Sequence, residues 1–371
     1  MVWCSLWRSV NIIMQDPLNS EESKTLDSTL KTLRSKPATL AEVAAVAGVS
    51  TQTVSYVVSG NTKVTISQPT RERVLAAVAQ VGYQPNRLAR AMKSGKTFTI
   101  ALWLPVQRPA MVYYVKFIKF LQARASEAGY ELMVIPVTSE QAYGDGGLPP
   151  THWPADGIVA LDCSNAVRKY REQTPFNRVP VVSISNSVIP EVDRISWDIY
   201  EGFQSLTRTA ISELGDLPTF VTIRSGLSAR EELRRKGYDF VANEFDRAPK
   251  YVACVGESVR AARIATLRDL RENGVQKGYI CWNDSVAWGV MRALTDPLYA
   301  SKSKEVKIYS YGGYEPDAPT SHDMVILPVP LELVAKRAWE ILYTRIQDQS
   351  VPYSHEVLRL EMTDRRSQLG R

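Results

Sequence analysis

The sequence predicts a small helical unit followed by a large α/β body built from two doubly wound parallel sheets. Two observations predict the body. From Thr97 onward short apolar runs recur: FTIALWLP (98–105), YELMVIPV (130–137), GIVALD (157–162), VPVVSIS (179–185), TFVTI (219–223), YVACV (251–255), GYICW (278–282) and VKIYSY (306–311). Helical patterns lie between several of them, at Tyr113–Ala128, Ile199–Leu214 and Asp284–Leu294. Strands alternating with helices give parallel sheets covered on both faces. Eight such strands suit two subdomains with a cleft between them, and ligands in this architecture bind at the carboxyl ends of the strands. The third observation is residues 39–98, which read TLAEVAAVAGVSTQTVSYVVSG and then ISQPTRERVLAAVAQVGYQPNRLARAMKSGKTF.

This segment is built as a helix-turn-helix. Thr39 stands at a helix start with Glu42 three residues on, the spacing of a capping box. Leu40, Val43, Ala44 and Ala47 form the inner face. Gly48 supplies the turn, where a left-handed backbone is needed, and Ser50 caps a second helix. Val54, Val57 and Val58 turn inward, which leaves Thr51, Gln52, Ser55 and Tyr56 outward. Pro69–Val81 makes a third helix, with Val74, Leu75 and Val78 inward, ended by Gly82. Between Lys36 and Lys96 stand eight Lys/Arg against two acids, Glu42 and Glu72, a net +6 that equals the charge of the whole chain. A basic module on a near-neutral body points to nucleic acid.

Composition narrows the remaining classes. No apolar run is long enough for a membrane span. Met1–Ile13 lacks a charged start and a cleavage site, so a signal peptide is not expected and a cytoplasmic location is. Residues 1–37 read as a disordered extension. The four cysteines (Cys4, Cys163, Cys254, Cys281) lie far apart, which implies buried reduced thiols. The three histidines (His152, His322, His355) are too scattered for a metal site or a catalytic triad. Neither GLS (226–228) nor GDGG (144–147) makes a nucleophile elbow or a phosphate cradle. No catalytic residue, metal or cofactor is therefore expected. The rival class is a sugar-binding protein or an enzyme that shares the α/β core without a regulatory role.

The segments TLAEVAAVAGVSTQTVS, TRERVLAAVAQVGYQPN and LARAMKSGKT resemble the lactose-repressor/galactose-repressor (LacI/GalR) family of bacterial transcription regulators. The resemblance continues through EAGYELMV, ADGIVAL, VPVVSIS, the Asp198 segment, NDSVAWGVMRAL and VPLELVAKRAWEIL. It implies a helix-turn-helix domain (38–84), a hinge helix or linker (85–97), and an effector-binding and dimerisation core (98–371) like a periplasmic sugar-binding protein. The core would divide into subdomains of 98–196 plus 323–352 and 197–322 plus 353–371.

The resemblance also implies roles. Thr51 and Gln52 match the positions that read bases in the major groove; Thr53 and Ser55 would hold phosphates. Tyr56 stands where the family usually has Arg. In the hinge, Asn86, Arg87 and Arg90 would face phosphate. Met92 replaces the usual Leu that wedges between base steps in the minor groove. Two hinges must meet for this wedge, so the expected partner is a double-stranded, near-palindromic operator held by a homodimer. No C-terminal leucine heptad for tetramers is present.

In the cleft, Tyr113, Asp198, Arg234, Asn283 and Asp284 match effector-binding positions, and the expected effector is a carbohydrate. Trp103 and Trp282 are candidates to stack on a sugar ring. Gly312, in SYGG (310–313), stands where the family usually has an effector-binding Asp, and Asp162 is the candidate to compensate. Arg366 matches a near-terminal structural position.

Overall fold

A computed structural model of the chain describes residues 38–58, 64–84, 91, 95–105, 111–150, 154–174, 179–224, 229–313, 322 and 324–364. The extension (1–37), Asn86, Arg87, Arg90, Met92 and Arg366 lie outside the described residues. The chain divides into two compact units, residues 1–90 and 91–371.

In the first unit, α1 (Leu40–Ala47) opens on the anticipated capping box. Thr39 Oγ1 accepts from the Glu42 amide at 3.3 Å, and Glu42 Oε2 accepts from the Thr39 amide at 2.7 Å. Helix α2 (Thr51–Val58) is capped by Ser50 Oγ, which accepts from the Thr53 amide at 3.1 Å. Helix α3 (Gln68–Val81) ends at Gly82 in the left-handed region. Val43, Ala44, Ala47, Val54, Val57, Val74, Ala77 and Tyr83 close a separate core. Leu75 corrects the sequence reading, being 51% exposed. Val74, Ala77, Val78 and Val81 take the i, i+3, i+4, i+7 stripe, and Leu75 stands about 100° around the helix from Val74.

Gly48 has φ 64°, and a Cβ there would meet nothing within 4 Å. Gly48→Ala therefore isolates backbone strain from clash. It should destabilise the first unit by about 1–2 kcal/mol, read by thermal unfolding; an unchanged midpoint would refute the turn argument.

The second unit contains β1 (Thr99–Pro105), α4 (Met111–Glu127), β2 (Glu131–Val137), α5 (Ser139–Tyr143), β3 (Gly157–Leu161), α6 (Ser164–Gln173), β4 (Val181–Ile184) and β5 (Asp193–Trp197). There follow α7 (Ile199–Leu214), β6 (Thr219–Ile223), α8 (Ala229–Glu244), β7 (Tyr251–Cys254), α9 (Val259–Asn273), β8 (Gly278–Cys281), α10 (Asp284–Leu294) and β9 (Lys307–Gly312). The unit ends in β10 (Met324–Pro328), α11 (Leu331–Gln347), β11 (His355–Leu358) and β12 (Thr363–Asp364).

Two six-stranded sheets result, ordered β11-β5-β4-β3-β1-β2 and β12-β10-β9-β8-β6-β7. Every pairing is parallel except β10 with β12. The doubly wound α/β class is as the sequence implied.

The crossings between sheets differ from the expected subdomain limits. Strand β10, anticipated in the first subdomain, joins the second sheet, and β11, anticipated in the second, joins the first. The chain thus crosses after Trp197, near Val329, and between Leu358 and Thr363. The reason is local. MVILP (324–328) is an apolar run that completes a buried sheet beside β9, whereas α11 packs on the first sheet and against α4.

Period-2 alternation divides the first sheet's side chains between two cores. Ile100, Leu102 and Leu104 enter a cluster that runs on through Phe203, Phe220, Tyr309 and Tyr311 of the second sheet's layers. Ala101 and Trp103 enter a smaller cluster with Ala166, Val167 and Tyr170 of α6. Helices α9 and α10 approach closely at Gly289, where a Cβ would stand 2.4 Å from Ala262 Cβ and 2.6 Å from the Val259 carbonyl oxygen. No helix among the described residues is long and apolar enough to cross a membrane.

Candidate nucleic-acid interface and ligand cleft

On α2, burial of Val54 and Val57 fixes the rotation of the helix. Thr51 and Gln52, at its first turn, are exposed, and Thr53, Ser55 and Tyr56 are half-buried. Gln52 Nε2 donates to Tyr56 Oη at 2.8 Å, an i,i+4 pair on one helix face. The departure at Tyr56 therefore has a local consequence: its phenol accepts from the Gln52 amide nitrogen, which an Arg, having only donors, could not do. The Thr53 hydroxyl pairs with Ser50 Oγ at 2.9 Å, within the cap.

The second set of residues gathers at the carboxyl ends of the strands. At the end of the first sheet, Asp162 follows β3 with φ 57°. Asp is one of the few non-glycine residues that visit this region, and Asp162 Oδ2 accepts from Tyr114 Oη at 3.5 Å. Tyr113 is buried edge-on to Tyr114, ring centres 5.0 Å apart, so it is the neighbouring tyrosine that reaches Asp162. Asp198 caps α7, its Oδ1 accepting from the Glu201 amide at 2.9 Å.

At the end of the second sheet, Asn283 caps α10. Its Oδ1 accepts from the Val286 amide at 3.0 Å and its Nδ2 donates to Glu257 Oε2 at 3.3 Å. Asp284 Oδ1 accepts from Ser310 Oγ at 2.8 Å. The Arg234 guanidinium carbon lies 4.0 Å from the Trp282 ring centre and 4.5 Å from that of Tyr311. Trp197 Nε1, at the end of β5, donates to Tyr311 Oη at 2.6 Å, so the first sheet is hydrogen-bonded to the second at this point.

The structure thus unites Arg234, Trp282, Tyr311 and Trp197, and places Asn283 and Asp284 on the adjoining strand end. It does not support the two tryptophans as sugar platforms. Trp103 is 1% exposed and edge-on to Tyr170 in the α6 layer; Trp282 is 2% exposed and stacked on Phe220. Tyr311, Trp197, Tyr114, Glu257 and Ser310 were not singled out in the sequence. Adjacency to SYGG, RISWD and Tyr113 signals Tyr311, Ser310, Trp197 and Tyr114; nothing in the sequence signals Glu257, which stands 26 residues before Asn283.

Burial pushes the Cys254 thiol up to about 11 and holds Cys281 well above its ordinary value, so neither offers a thiolate at neutral pH. Among the described residues no group of His, Cys, Asp or Glu could hold a metal ion.

A helix-turn-helix with an exposed second helix, carried on a chain whose body is a two-sheet α/β ligand-binding fold, defines a DNA-binding transcription regulator. The profile of bacterial regulatory proteins of the lacI family matches residues 39–86. The chain is 25% identical to the HTH-type transcriptional regulator GalR of Lacticaseibacillus casei, over 84% of this chain and 93% of that protein. It is 23% identical to the sucrose operon repressor of Streptococcus mutans, over 85% and 95%. The fold is that of the Lac repressor dimer bound to operator and the anti-inducer ONPF, with a TM-score of 0.68 at 22% identity, covering 89% of this chain and 98% of that one. A CelR–cellobiose complex matches with a TM-score of 0.56 at 20% identity, over 88% and 98%. Residues 39–86 are thus a lacI-family DNA-binding domain, and the chain as a whole is similar to LacI/GalR transcription regulators.

Proposed function

We propose that this regulator is a repressor that binds a near-palindromic operator as a homodimer and is controlled by a small effector in the cleft of its α/β body. The observation that carries the reading is the reading head of α2. Thr51 and Gln52 are exposed at the start of a helix whose rotation the core fixes, and Gln52 is held in one orientation by Tyr56. A Gln amide presents a donor and an acceptor that match adenine in the major groove, and a Thr methyl matches thymine. Thr53 and Ser55 hold phosphates. Asn86, Arg87, Arg90 and the Met92 wedge supply the minor-groove contacts.

Tyr113, Asp162, Asp198, Arg234, Asn283 and Asp284 bind the effector. Effector binding shifts the population between two arrangements of the body, and DNA affinity follows. Most of the polar groups at the strand ends are engaged in caps and structural pairs, and no thiolate is offered. Binding without catalysis is the chemistry they fit.

The test is binding of the full chain to DNA from upstream of its own gene, measured by fluorescence anisotropy. Gln52→Ala should weaken specific binding by about 1–3 kcal/mol, roughly 5- to 150-fold, and leave binding to random DNA unchanged. Equal binding of both DNAs by the unaltered protein would sink the reading.

A further inference from the structure

Among the described residues of the second unit, Arg171, Arg194 and Arg234 each enclose an Nε without a hydrogen-bond acceptor, and of these three Arg234 is the one stacked on aromatic rings. Arg345, Arg337 and Arg208 each sit on a carboxylate, of Asp193, Glu356 and Glu244 respectively. Arg234 is half-buried, its Nε is enclosed without a hydrogen-bond acceptor, and it takes part in no ion pair. Its contacts are the rings of Trp282 and Tyr311.

The acids at the surrounding strand ends are engaged elsewhere. Asp284 takes the Ser310 hydroxyl, Glu257 the Asn283 amide, Asp162 the Tyr114 hydroxyl, and Asp198 the Glu201 amide. Gly312, next to Tyr311, supplies no side chain. Removing a guanidinium from water without a counter-charge is unfavourable. Stacking on rings offsets part of that cost through the quadrupole. It also covers the guanidinium plane and leaves the edge N–H donors as the groups that remain to be satisfied. A planar fork of donors matches a carboxylate or a phosphate in a bidentate pair.

We propose that the effector is an anion: a small polyhydroxylated acid or phosphate ester whose charged group pairs with the edge of Arg234. The inference rests on the effector cleft proposed above. The missing side chain at Gly312 fits it, because an Asp there would add a negative charge beside the ring that carries Arg234. Asp198 keeps one carboxylate oxygen without a protein partner, which suits a ligand hydroxyl.

The test titrates the full chain with inorganic phosphate, gluconate, glucose 6-phosphate and glucose, read by calorimetry and by tryptophan emission, since Trp282 lies against Arg234. Phosphate should bind weakly. One of the two sugar anions should bind at least tenfold more tightly than glucose, and which one does so tells carboxylate from phosphate. Arg234→Gln should lose that affinity by tenfold or more and Arg234→Lys by less, while both variants keep the far-ultraviolet circular dichroism of the unaltered chain, which shows that they are folded. Anion binding unchanged in Arg234→Gln would overturn the proposal, as would failure of all three anions to bind. Glucose binding as tightly as the anions, and lost in Asp198→Asn, would overturn the anion while leaving the cleft in place. Failure of glucose and all anions would remove support from both.

Discussion

Arg345→Met should cost the second unit about 3–5 kcal/mol, measured by denaturant unfolding followed through tryptophan emission. The reason lies in what the guanidinium satisfies. Its Nε and one terminal nitrogen donate to the two oxygens of Asp193, each at 3.0 Å, and the side chains of the pair are 7% and 1% exposed. The remaining donors go to the carbonyls of Gln349, Val351 and Pro352, and Asp193 Oδ1 also accepts from the Ser354 amide at 2.7 Å. The pair thus ties α11, the turn after it and the start of β5 together, and so sets β11 beside β5. Removing Arg345 leaves a buried carboxylate unpaired and three carbonyls without that donor. Arg345→Met with Asp193→Leu should recover part of the loss, because it removes the stranded charge, but not all, because the Ser354 amide loses its acceptor. A cost below about 1 kcal/mol for the single variant would show that water reaches Asp193 and that the pair does not anchor the turn between α11 and β11.

That pair also shows why part of the fold was not legible in the sequence. β5 reads DRISW, and its opening charges hide it until Arg345 is seen to neutralise Asp193. β11, HEVL, is an edge strand with alternating exposure, and β12 has two residues, too few to leave a pattern. Most strands that were legible are apolar runs buried on both faces, as parallel sheets require; β2 and β7, at the sheet edges, are partly exposed but keep the apolar run. The first unit was legible because its signals are local: a capping box, a left-handed glycine and a three-residue period.

The cleft was partly legible for a related reason. Ligands in doubly wound sheets sit beyond the strand ends, so a side chain standing perpendicular to a strand enters a core. Trp103 did so, on the α6 side. Asp162, Asp198, Asn283 and Asp284, expected from resemblance or from their strand-end motifs, lie just past the carboxyl ends of β3, β5 and β8. Their partners were not expected, since the pairing of Trp197 with Tyr311 spans 114 residues and leaves no periodicity to read.

DNA affinity should fall by roughly a thousandfold between about 50 and 200 mM salt, the behaviour of a protein that neutralises about six phosphates. The charge that would do this is concentrated. Residues 36–96 hold a net +6 while the rest of the chain is near neutral, so the phosphate contacts fall to the reader and hinge. A dimer that commits about three cations per reader reaches the required number, with a slope of log affinity on log salt near −5. The slope and the specificity should separate by residue. Gln52→Ala removes a base contact and should leave the slope unchanged. Arg87→Gln or Arg90→Gln removes one phosphate contact per protomer and should make the slope shallower by about 2 while weakening all DNA sequences alike. Met92→Ala removes no charge, so it should leave the slope intact and cost specific affinity more than non-specific, because only the kinked site uses the wedge. A slope that stays near zero across this range would mean that the basic segment does not lie on phosphate, and the operator reading would fall with it.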